Sequence, residues 1–566
     1  MTAEVRKPGP PSHVPDVIPG MMPVGPHQLH KAPEFAAKQR TETITFPKDA
    51  DRARLYHYSE TGEVIPNQDV LFKMATIVVD SVKVKPGGKL LTYLAVEDEA
   101  GLAYANTVIA VAQAKGITDI HYLDRRPSIE LERIKAFSQM DPQQRADAIE
   151  ELMVHERAEM KWADGIAAVR YTMDPQFTAQ MTDEEHNAYE EMQHARMYSP
   201  HEGEEESKKG PDKIRLQERE WMGASQPRAG TAKADSIVNG YEISHENQIY
   251  YWLKGCERNP HEILKSQEKL AVHMSNSRRI RVMSTPPEKN MFFKDPRFVT
   301  DLVVVTQIVK DGQVVPRRWD NHAGLEKNFP GSEVFGAPSD VNNPAELGQY
   351  KEVITGQLAY PFPVMFEDVL LSNISLRYQH GRLASWEIVG DDADPEIIKQ
   401  RAHFAKVLAE NPGVDRIGES AMGTNQYPPY SSIDIGLNEK RTGVHFALGM
   451  SYLNQKDETG VMADLDNGNG DCKVHADLIL PMTPENPGQL WAEVDVPQND
   501  GSIQQEWTLI LADGAFVKKL DNGQYVADED LKVINYPAAH IEPFDAPEFT
   551  ALPESLPDRR SEPEAV

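Results

Sequence analysis

Alternating apolar and charged stretches in the first part of the chain predict a strand, a helix and a second strand. Residues 71–85 are apolar enough for a helix or a strand, and 89–96 (KLLTYLAV) predict a buried strand. Residues 97–115 have the spacing of an amphipathic helix closed by Gly116, and 118–123 predict another strand. A strand–helix–strand order implies a parallel sheet with a right-handed crossover, and therefore an α/β domain.

Charged residues dominate the stretch that follows. Residues 129–171 have a helical pattern, and 183–212 predict a solvated helix that ends in a flexible loop. The irregular spacing of the histidines in this second segment favours an exposed helix face over a metal site. The acidic residues at 97–99 fall where a strand leads into a helix, so we expect them to complement the helix N-terminus.

From Arg297 the pattern changes to one typical of an antiparallel-leaning sheet. Residues 298–309 and 314–319 predict strands, and 375–391 predict a hairpin around His380 and Gly381. The expected fold class is α/β plus α+β, with a parallel sheet in the N-terminal domain and a mixed α+β metal-binding domain after it. The expected organisation is a Pro-rich arm (1–50), an α/β domain with a charged insertion near 185–245 (51–294), the catalytic domain (295–540) and a flexible tail (541–566).

Length and charge narrow the classes of function. A chain of 566 residues is long enough for two domains. Lys and Arg total 59 against 88 Asp and Glu, a net charge of −29, which disfavours binding to nucleic acid or to an anionic membrane surface. The two cysteines and the absence of an apolar leader near the start favour the cytoplasm.

Residues 473–479 (KVHADLI) are the clearest candidate for chemistry. Alternation predicts a strand with Val474 and Ala476 on one face and His475 and Asp477 on the other. An imidazole and a carboxylate two residues apart then point the same way, about 7 Å apart along the strand. This geometry can hold one metal ion or two neighbouring ions.

Three segments that precede this strand contain residues that could bind the same metal ion or ions. Glu333 lies in a Gly/Pro-bounded segment, Glu419 follows Gly418, and His445 and Tyr452 are separated by two turns if their segment is helical. Two imidazoles, three carboxylates and a phenol suit Zn²⁺, Co²⁺ or Mn²⁺ better than Ca²⁺. Two ions sharing a carboxylate would use all six donors and favour hydrolysis, whereas the alternative is a set of buried, hydrogen-bonded structural residues.

The segments NFPGSEVFGAP, RIGESAMG, HFALGMSY and KVHADLIL, in this order, resemble the metal-binding motifs of the thermophilic metalloprotease family. This is the group of metallo-aminopeptidases that includes aminopeptidase T and aminopeptidase S. The resemblance covers most of residues 85–490 and extends weakly to the N-terminal strand–helix unit. It implies a homodimeric or larger dinuclear exopeptidase that acts on peptides with a free N-terminus.

The resemblance also implies roles for individual residues. The metal ligands would be Glu333, Glu419, His445, Tyr452, His475 and Asp477. Glu419 or Asp477 would bridge two divalent ions (Zn, Co or Mn), and the Tyr452 hydroxyl would reach a metal or stabilise the transition state. The general base would be Glu419 or Glu439.

Two positions depart from the family pattern. An acidic residue commonly lies five positions before the histidine of the HxALG segment, whereas this chain has Lys440 there, with Glu439 one position earlier. Glu439 either reaches the site through a bulge or is a surface residue, and the sequence favours neither alternative. A threonine usually follows the first glutamate segment, and Gly336 takes its place.

Two other functions compete with the peptidase hypothesis. His445, His475 and Asp477 have the composition of the two-histidine, one-carboxylate set of a mononuclear Fe(II) ring-cleaving dioxygenase. A non-catalytic descendant with a role in assembly would bind no metal at all.

Overall fold

The computed structural model describes residues 49–171, 181–197, 206–218, 220–226, 245–258, 260–284, 296–320, 328–329, 333–340, 342, 353–360, 363–367, 369–426, 439–452, 455–456, 462–482, 487–498 and 501–535. The predicted N-terminal arm, except its last two residues, and the predicted C-terminal tail lie outside this part of the chain. His201, one of the histidines of the charged stretch, also lies outside it.

Ten α-helices occur in the described chain. They are α1 (Asp49–Leu55), α2 (Gln68–Ser81), α3 (Glu99–Ala114), α4 (Pro127–Ser138), α5 (Pro142–Trp162), α6 (Asp183–Arg196), α7 (Pro211–Glu218), α8 (His245–Cys256), α9 (Pro260–Ser275) and α10 (Pro395–Glu410). Short 3-10 turns lie at Glu206–Lys208, Pro296–Phe298 and Glu529–Ile534. None of the helices in these residues has the length and apolar character needed to cross a membrane.

The strands of the first half are few, and those of the second half are many. They are β1 (Tyr56–Tyr58), β2 (Val64–Pro66), β3 (Lys89–Ala95), β4 (Asp119–Asp124), β5 (Gly165–Tyr171), β6 (Glu220–Gln226), β7 (Ser277–Ser284), β8 (Asp301–Val305), β9 (Gln307–Lys310), β10 (Gln313–Pro316), β11 (Asn328–Phe329), β12 (Glu333–Gly336) and β13 (Ile354–Tyr360). The remainder are β14 (Val364–Phe366), β15 (Val369–Leu371), β16 (Ile374–Gln379), β17 (Arg382–Ile388), β18 (Ile417–Gly423), β19 (Gly443–Gly449), β20 (Gln455–Lys456), β21 (Met462–Ala463), β22 (His475–Pro481), β23 (Gly488–Pro497), β24 (Ile503–Ala512), β25 (Ala515–Lys519) and β26 (Tyr525–Ala527).

The N-terminal part is built on a parallel sheet with the strand order β11-β6-β5-β3-β4. Leu90 faces the core shared with α2, α3 and α8, whereas Leu91 faces the core that includes residues of α5 and α7. Helices therefore cover both faces, as expected for a parallel sheet. At the end of β3, the Asp98 side chain accepts a hydrogen bond of 2.6 Å from the Gly101 amide and caps α3, as predicted.

The C-terminal part contains two larger antiparallel sheets. One has nine strands in the order β17-β16-β13-β8-β7-β23-β24-β25-β26, and the other has four in the order β12-β18-β19-β22. As predicted, a hairpin between β16 and β17 turns through His380 and Gly381. Both residues have a positive φ. The predicted class, α/β plus α+β, is confirmed. Because β7 already belongs to the nine-stranded sheet, this sheet begins before the predicted boundary at 294/295.

Two predictions for the charged stretch are wrong. Residues 165–171 were expected to be helical but form β5, because a strand inside the parallel sheet can be apolar on both faces and so lacks a period of two. The α6 segment is not simply solvated, since Arg196 at its end is only 2% exposed. Arg196 donates hydrogen bonds of 2.6 Å to Glu130 and 2.8 Å to Glu156.

The ion pairs of Arg196 make a pH-dependent contribution to stability. Burial by itself raises the pKa of the Glu130 carboxyl, but Arg196, Arg125 and Arg133 outweigh it and hold the pKa below its usual value. A carboxyl with a depressed folded-state pKa stabilises the protein above its unfolded pKa of about 4.3, and the contribution is lost as pH falls.

We therefore expect Arg196→Met to lower the free energy of unfolding of the N-terminal part by about 3–5 kcal/mol at pH 7. The cause is that two buried carboxylates lose their shared partner. The difference from the unmodified protein should shrink below about pH 4, and urea unfolding at a series of pH values measures it. The control is Arg145→Met, because Arg145 pairs with the half-exposed Glu191; we expect a loss of about 1 kcal/mol or less there. Equal losses in both variants would contradict the argument.

Candidate metal centre

The four-stranded sheet places most of the predicted ligands on one face. Strand β18 pairs with β19, and β19 pairs with β22, so that Glu419, Ala447 and Asp477 form one row across three strands. Alternate residues of a strand share a face, so His445 and His475 lie on this side as well. Glu333 opens β12 opposite Gly423, at the other edge of the sheet.

Small residues separate the charged ones on this face. In β18, Glu419 is followed at alternate positions by Ala421 and Gly423, and in β19 His445 is followed by Ala447 and Gly449. Apart from Ser420, the alternate positions facing the other way include apolar residues of the main hydrophobic core: Met422, Val444, Phe446, Leu448, Ala476 and Leu478. The sheet is therefore anchored by one face, while the other face leaves room between its polar side chains.

Gly418 allows the bulge that directs Glu419. The pairing of β18 with β19 shifts between Ile417 and Glu419, so Gly418 has no opposite residue. A Cβ atom at Gly418 would lie 2.2 Å from the carbonyl oxygen of Met450. Only glycine permits this approach of the two backbones.

Five predicted ligands form two groups that share one member. Donor atoms of Glu333, Glu419 and His445 all lie within 4.8 Å of one another, and so do donor atoms of Glu419, His475 and Asp477. His445 Nε2 is 2.9 Å from Glu333 Oε2, and His475 Nε2 is 3.1 Å from Glu419 Oε2. Glu419, not Asp477, is therefore the carboxylate common to both groups.

The site has a surplus of negative charge that protons on the histidines partly offset. Burial by itself lowers the pKa of His445, but Glu333, Asp477 and Glu419 outweigh it and raise the pKa to about 9. The pKa of His475 rises to about 10, because Asp477 and Glu419 outweigh burial in the same way. Protonated His445 and His475 would release their protons to the solvent when a metal ion binds.

The donors fit divalent cations. Each group offers one imidazole nitrogen and carboxylate oxygens, the set that borderline ions such as Zn²⁺, Co²⁺ and Mn²⁺ accept. Asp477 Oδ1 is buried and accepts no hydrogen bond within the described chain, so it has a free lone pair for a ligand. His475 Nδ1 contacts the Met450 carbonyl at 2.8 Å, which orients its ring and leaves Nε2 for the site.

Tyr452 lies beside the site but not where a helix would place it. The residues around His445 form strand β19, and Tyr452 follows its end, so the hypothesis of a shared helical face is wrong. The ring of Tyr452 is 5.2 Å from that of His475 and 5.4 Å from that of Phe335. The alternation of HFALG, with small residues at every second position, is the signal of a strand.

Glu439 and Lys440 both point into the site. Lys440 is 3% exposed, and its Nζ lies 2.8 Å from Glu333 Oε1 and 2.5 Å from Glu439 Oε1. Burial raises the pKa of Glu439 to about 7, although the Lys440 charge opposes this. Sequence reasoning gave the inward orientation of Glu439 only as one possibility and did not anticipate the burial of Lys440.

The ligands expected for a dioxygenase are divided between the two groups. His445 is grouped with Glu333 and Glu419, whereas His475 is grouped with Asp477 and Glu419. His445, His475 and Asp477 all lie within the described chain, and they do not form one group. The geometry therefore gives no support to a mononuclear site made from them.

The fold matches a solved structure. Wild-type AmpT from Thermus thermophilus, an aminopeptidase T, superposes with a TM-score of 0.52 at 13% sequence identity, over 79% of this chain and 99% of that chain. The fold is that of aminopeptidase T. No protein-family model matches the sequence, and no curated protein is significantly similar to it. At this identity the likeness shows the shared fold, so the function rests on the residues themselves.

Gly336, the second departure from the family pattern, is explained by a neighbouring tryptophan. A Cβ atom at Gly336 would lie 2.7 Å from Cδ2 of Trp319, whose side chain is 3% exposed. Asp320, the residue after this tryptophan, pairs with Phe335. The indole therefore packs on the backbone of the strand that carries Glu333.

We expect Gly336→Thr to lower the free energy of unfolding by about 1–3 kcal/mol, because the new side chain overpacks a buried site. Chemical denaturation measures the loss. In the double variant with Trp319→Leu, the two losses should be less than additive, since the smaller side chain makes room for the threonine. Full additivity, or no loss in the single variant, would show that the indole does not require glycine.

Proposed function

We propose that this protein is a metal-dependent aminopeptidase with a dinuclear centre, which removes N-terminal residues from peptides. The observation that carries the proposal is the shared position of Glu419. Its carboxylate belongs to both ligand groups, and each group adds one histidine and one further carboxylate. The likeness in fold to aminopeptidase T supports a metal-dependent aminopeptidase, whereas the dinuclear centre rests on the ligands alone.

In this proposal the side chains divide into two ligand sets. Glu333 and His445 would hold one ion, His475 and Asp477 would hold the other, and Glu419 would be a ligand of both. When bound, the two ions would lower the pKa of a water molecule and polarise the carbonyl of the scissile peptide bond. The histidine nitrogens favour Zn²⁺, Co²⁺ or Mn²⁺ over Ca²⁺.

Glu439 is our choice for the general base. Because Glu419 is needed by both ligand sets, it is a poor candidate for carrying a proton through the reaction. Glu439 belongs to neither ligand group, and its carboxylate lies across the ammonium of Lys440 from Glu333, so it adjoins the site without being a ligand. We assign to Tyr452, whose ring lies 5.2 Å from that of His475, a hydrogen bond from its hydroxyl to the developing oxyanion.

The two ions would also account for a preference for chain ends. A free N-terminal amine has a lone pair with which it would bind one of them. The nitrogen of an internal peptide bond has no such lone pair to offer. A homodimer and a cytoplasmic location stay predictions.

The test is metal analysis of the purified protein combined with hydrolysis of aminoacyl-anilides. We expect bound divalent metal, cleavage of substrates with a free amine and none of their N-acetylated counterparts. Chelation should abolish cleavage, and Zn²⁺, Co²⁺ or Mn²⁺ should restore it. Iron with oxygen uptake on an aromatic diol would favour the dioxygenase, and a folded protein with neither metal nor activity would favour the non-catalytic alternative.

A further inference from the structure

We propose that the two ion sites have unequal affinities, and that the buried cation of Lys440 weakens the site formed by Glu333, Glu419 and His445. This inference rests on the proposed dinuclear centre and concerns how it fills. The site formed by Glu419, His475 and Asp477 would bind its ion first and more tightly.

The two ligand groups differ little in their own donors. Each contains two carboxylates, one of them Glu419, and one imidazole. Neither group therefore has an advantage in ligand number or ligand type. A difference in affinity has to come from the charges that surround them.

Lys440 supplies that difference, because it contacts only one of the groups. Its Nζ is 2.8 Å from Glu333 Oε1, a ligand of the first site, and 2.5 Å from Glu439. The partners of His475 are Glu419, Asp477 and the Met450 carbonyl, all at the other end. Only the carboxylate of Glu333 would therefore separate an ion at the first site from the ammonium of Lys440.

The backbone of Lys440 is paired with the chain at the end of β18, and its ammonium is held by Glu333 and Glu439. The Asn425 amide donates a hydrogen bond of 2.8 Å to the Lys440 carbonyl, and the flanking Arg441 and Thr442 form bridges to the end of strand β18. The ammonium is also buried, so water screens its charge only weakly. The repulsion between Lys440 and an ion at the first site is therefore a fixed property of the folded chain.

Lys440 also donates a hydrogen bond to one of the two carboxylate oxygens of Glu333. With Oε1 bonded to the ammonium, Oε2, which faces His445 at 2.9 Å, is the oxygen directed at the site. Glu333 is then limited to a single bond to an ion, and its charge is partly offset by the ammonium. Both effects lower the affinity of the same site.

Calorimetric titration of the metal-free protein with Mn²⁺ tests the inference. We expect two steps in the unmodified protein, with dissociation constants at least about tenfold apart. Lys440→Met, which removes the charge but keeps the length of the side chain, should tighten the weaker step by about tenfold or more and leave the tighter step unchanged. Lys440→Arg is the matched control and should keep the weak step weak.

Two further variants identify the steps. His475→Ala should remove the tighter step. Glu439→Gln should weaken the weaker step further. Of its two carboxylate partners, Lys440 then keeps only Glu333, so less of its charge is neutralised. This second variant also tests the inference if Lys440→Met does not fold, as judged by circular dichroism and thermal unfolding.

The possible failures can be told apart. Equal steps in the unmodified protein, or a weaker step that Lys440→Met leaves unchanged, would overturn the inference while leaving the metal centre in place. The same is true if the protein and Lys440→Met each bind a single ion. Absence of Mn²⁺ binding in every folded variant, also with Zn²⁺ and Co²⁺, would instead contradict the proposed metal centre itself.

Discussion

Replacement of Glu419 by glutamine is expected to remove both bound ions and to lower kcat/KM by about a thousandfold or more, since every ion-dependent contribution to catalysis is lost together. The reason is geometric, because Glu419 is the one residue that belongs to both ligand groups. Loss of Glu333 or Asp477 would affect one group directly. Metal content and aminoacyl-anilide hydrolysis, measured on the same preparation, give the result.

The fold should survive this substitution. Gln keeps the size of the side chain and an oxygen that can accept from His475, which lies 3.1 Å from Glu419. Burial also raises the pKa of the Glu419 carboxyl above its usual value, so a neutral amide avoids part of the cost of burying a charge there. We therefore expect the Tm of the metal-free variant to match that of the metal-free parent. Glu410→Gln, on the exposed side of α10, is the control and should change neither metal content nor rate.

Replacement of Glu439 by glutamine is expected to have the second largest effect, a fall in kcat of about 10²–10⁴-fold at saturating metal. Glutamine cannot accept the proton that a general base removes. Both ions should still bind, because Glu439 belongs to neither ligand group. KM should change little, since substrate binding does not require this proton transfer. Steady-state kinetics with metal in excess separates the two parameters.

A structural role for Glu439 would give a different pattern. The weaker ion should bind less tightly in Glu439→Gln under either role, but if Glu439 served only to hold Lys440, kcat at saturating metal would be nearly unchanged. Glu439→Asp, which keeps the carboxylate but shortens the side chain, should retain more activity than the glutamine variant. An unchanged kcat in Glu439→Gln would leave Glu419 as the remaining candidate for the base.

Local patterns were sufficient to predict the strand that carries His475 and Asp477. Alternation from 473 to 479 separates Val474 and Ala476, which lie in the core, from the two polar residues, and the structure has β22 there. The fold class could be predicted in the same way. The spacing of Glu419, Ala421 and Gly423 also repeats in HxAxG, and it indicates strands with an open polar face.

The remaining features depend on contacts between residues far apart in the chain. Arg196 has a charged neighbourhood in the sequence, but it is buried because Glu130 and Glu156 reach it from α4 and α5. Gly336 cannot be understood without Trp319, and the burial of Lys440 cannot be understood without Glu333. No local pattern contains these pairs, since each depends on how separate elements pack.

The most direct test of the proposed centre is anomalous diffraction from crystals of the protein soaked in Mn²⁺ or Zn²⁺. We expect two peaks that share Glu419 as a ligand, one beside Glu333 and His445 and the other beside His475 and Asp477. At low metal concentration the second of these peaks should be the stronger. No peak at these residues under saturating metal, in crystals whose side chains are otherwise placed as described, would contradict the metal centre and the aminopeptidase function built on it.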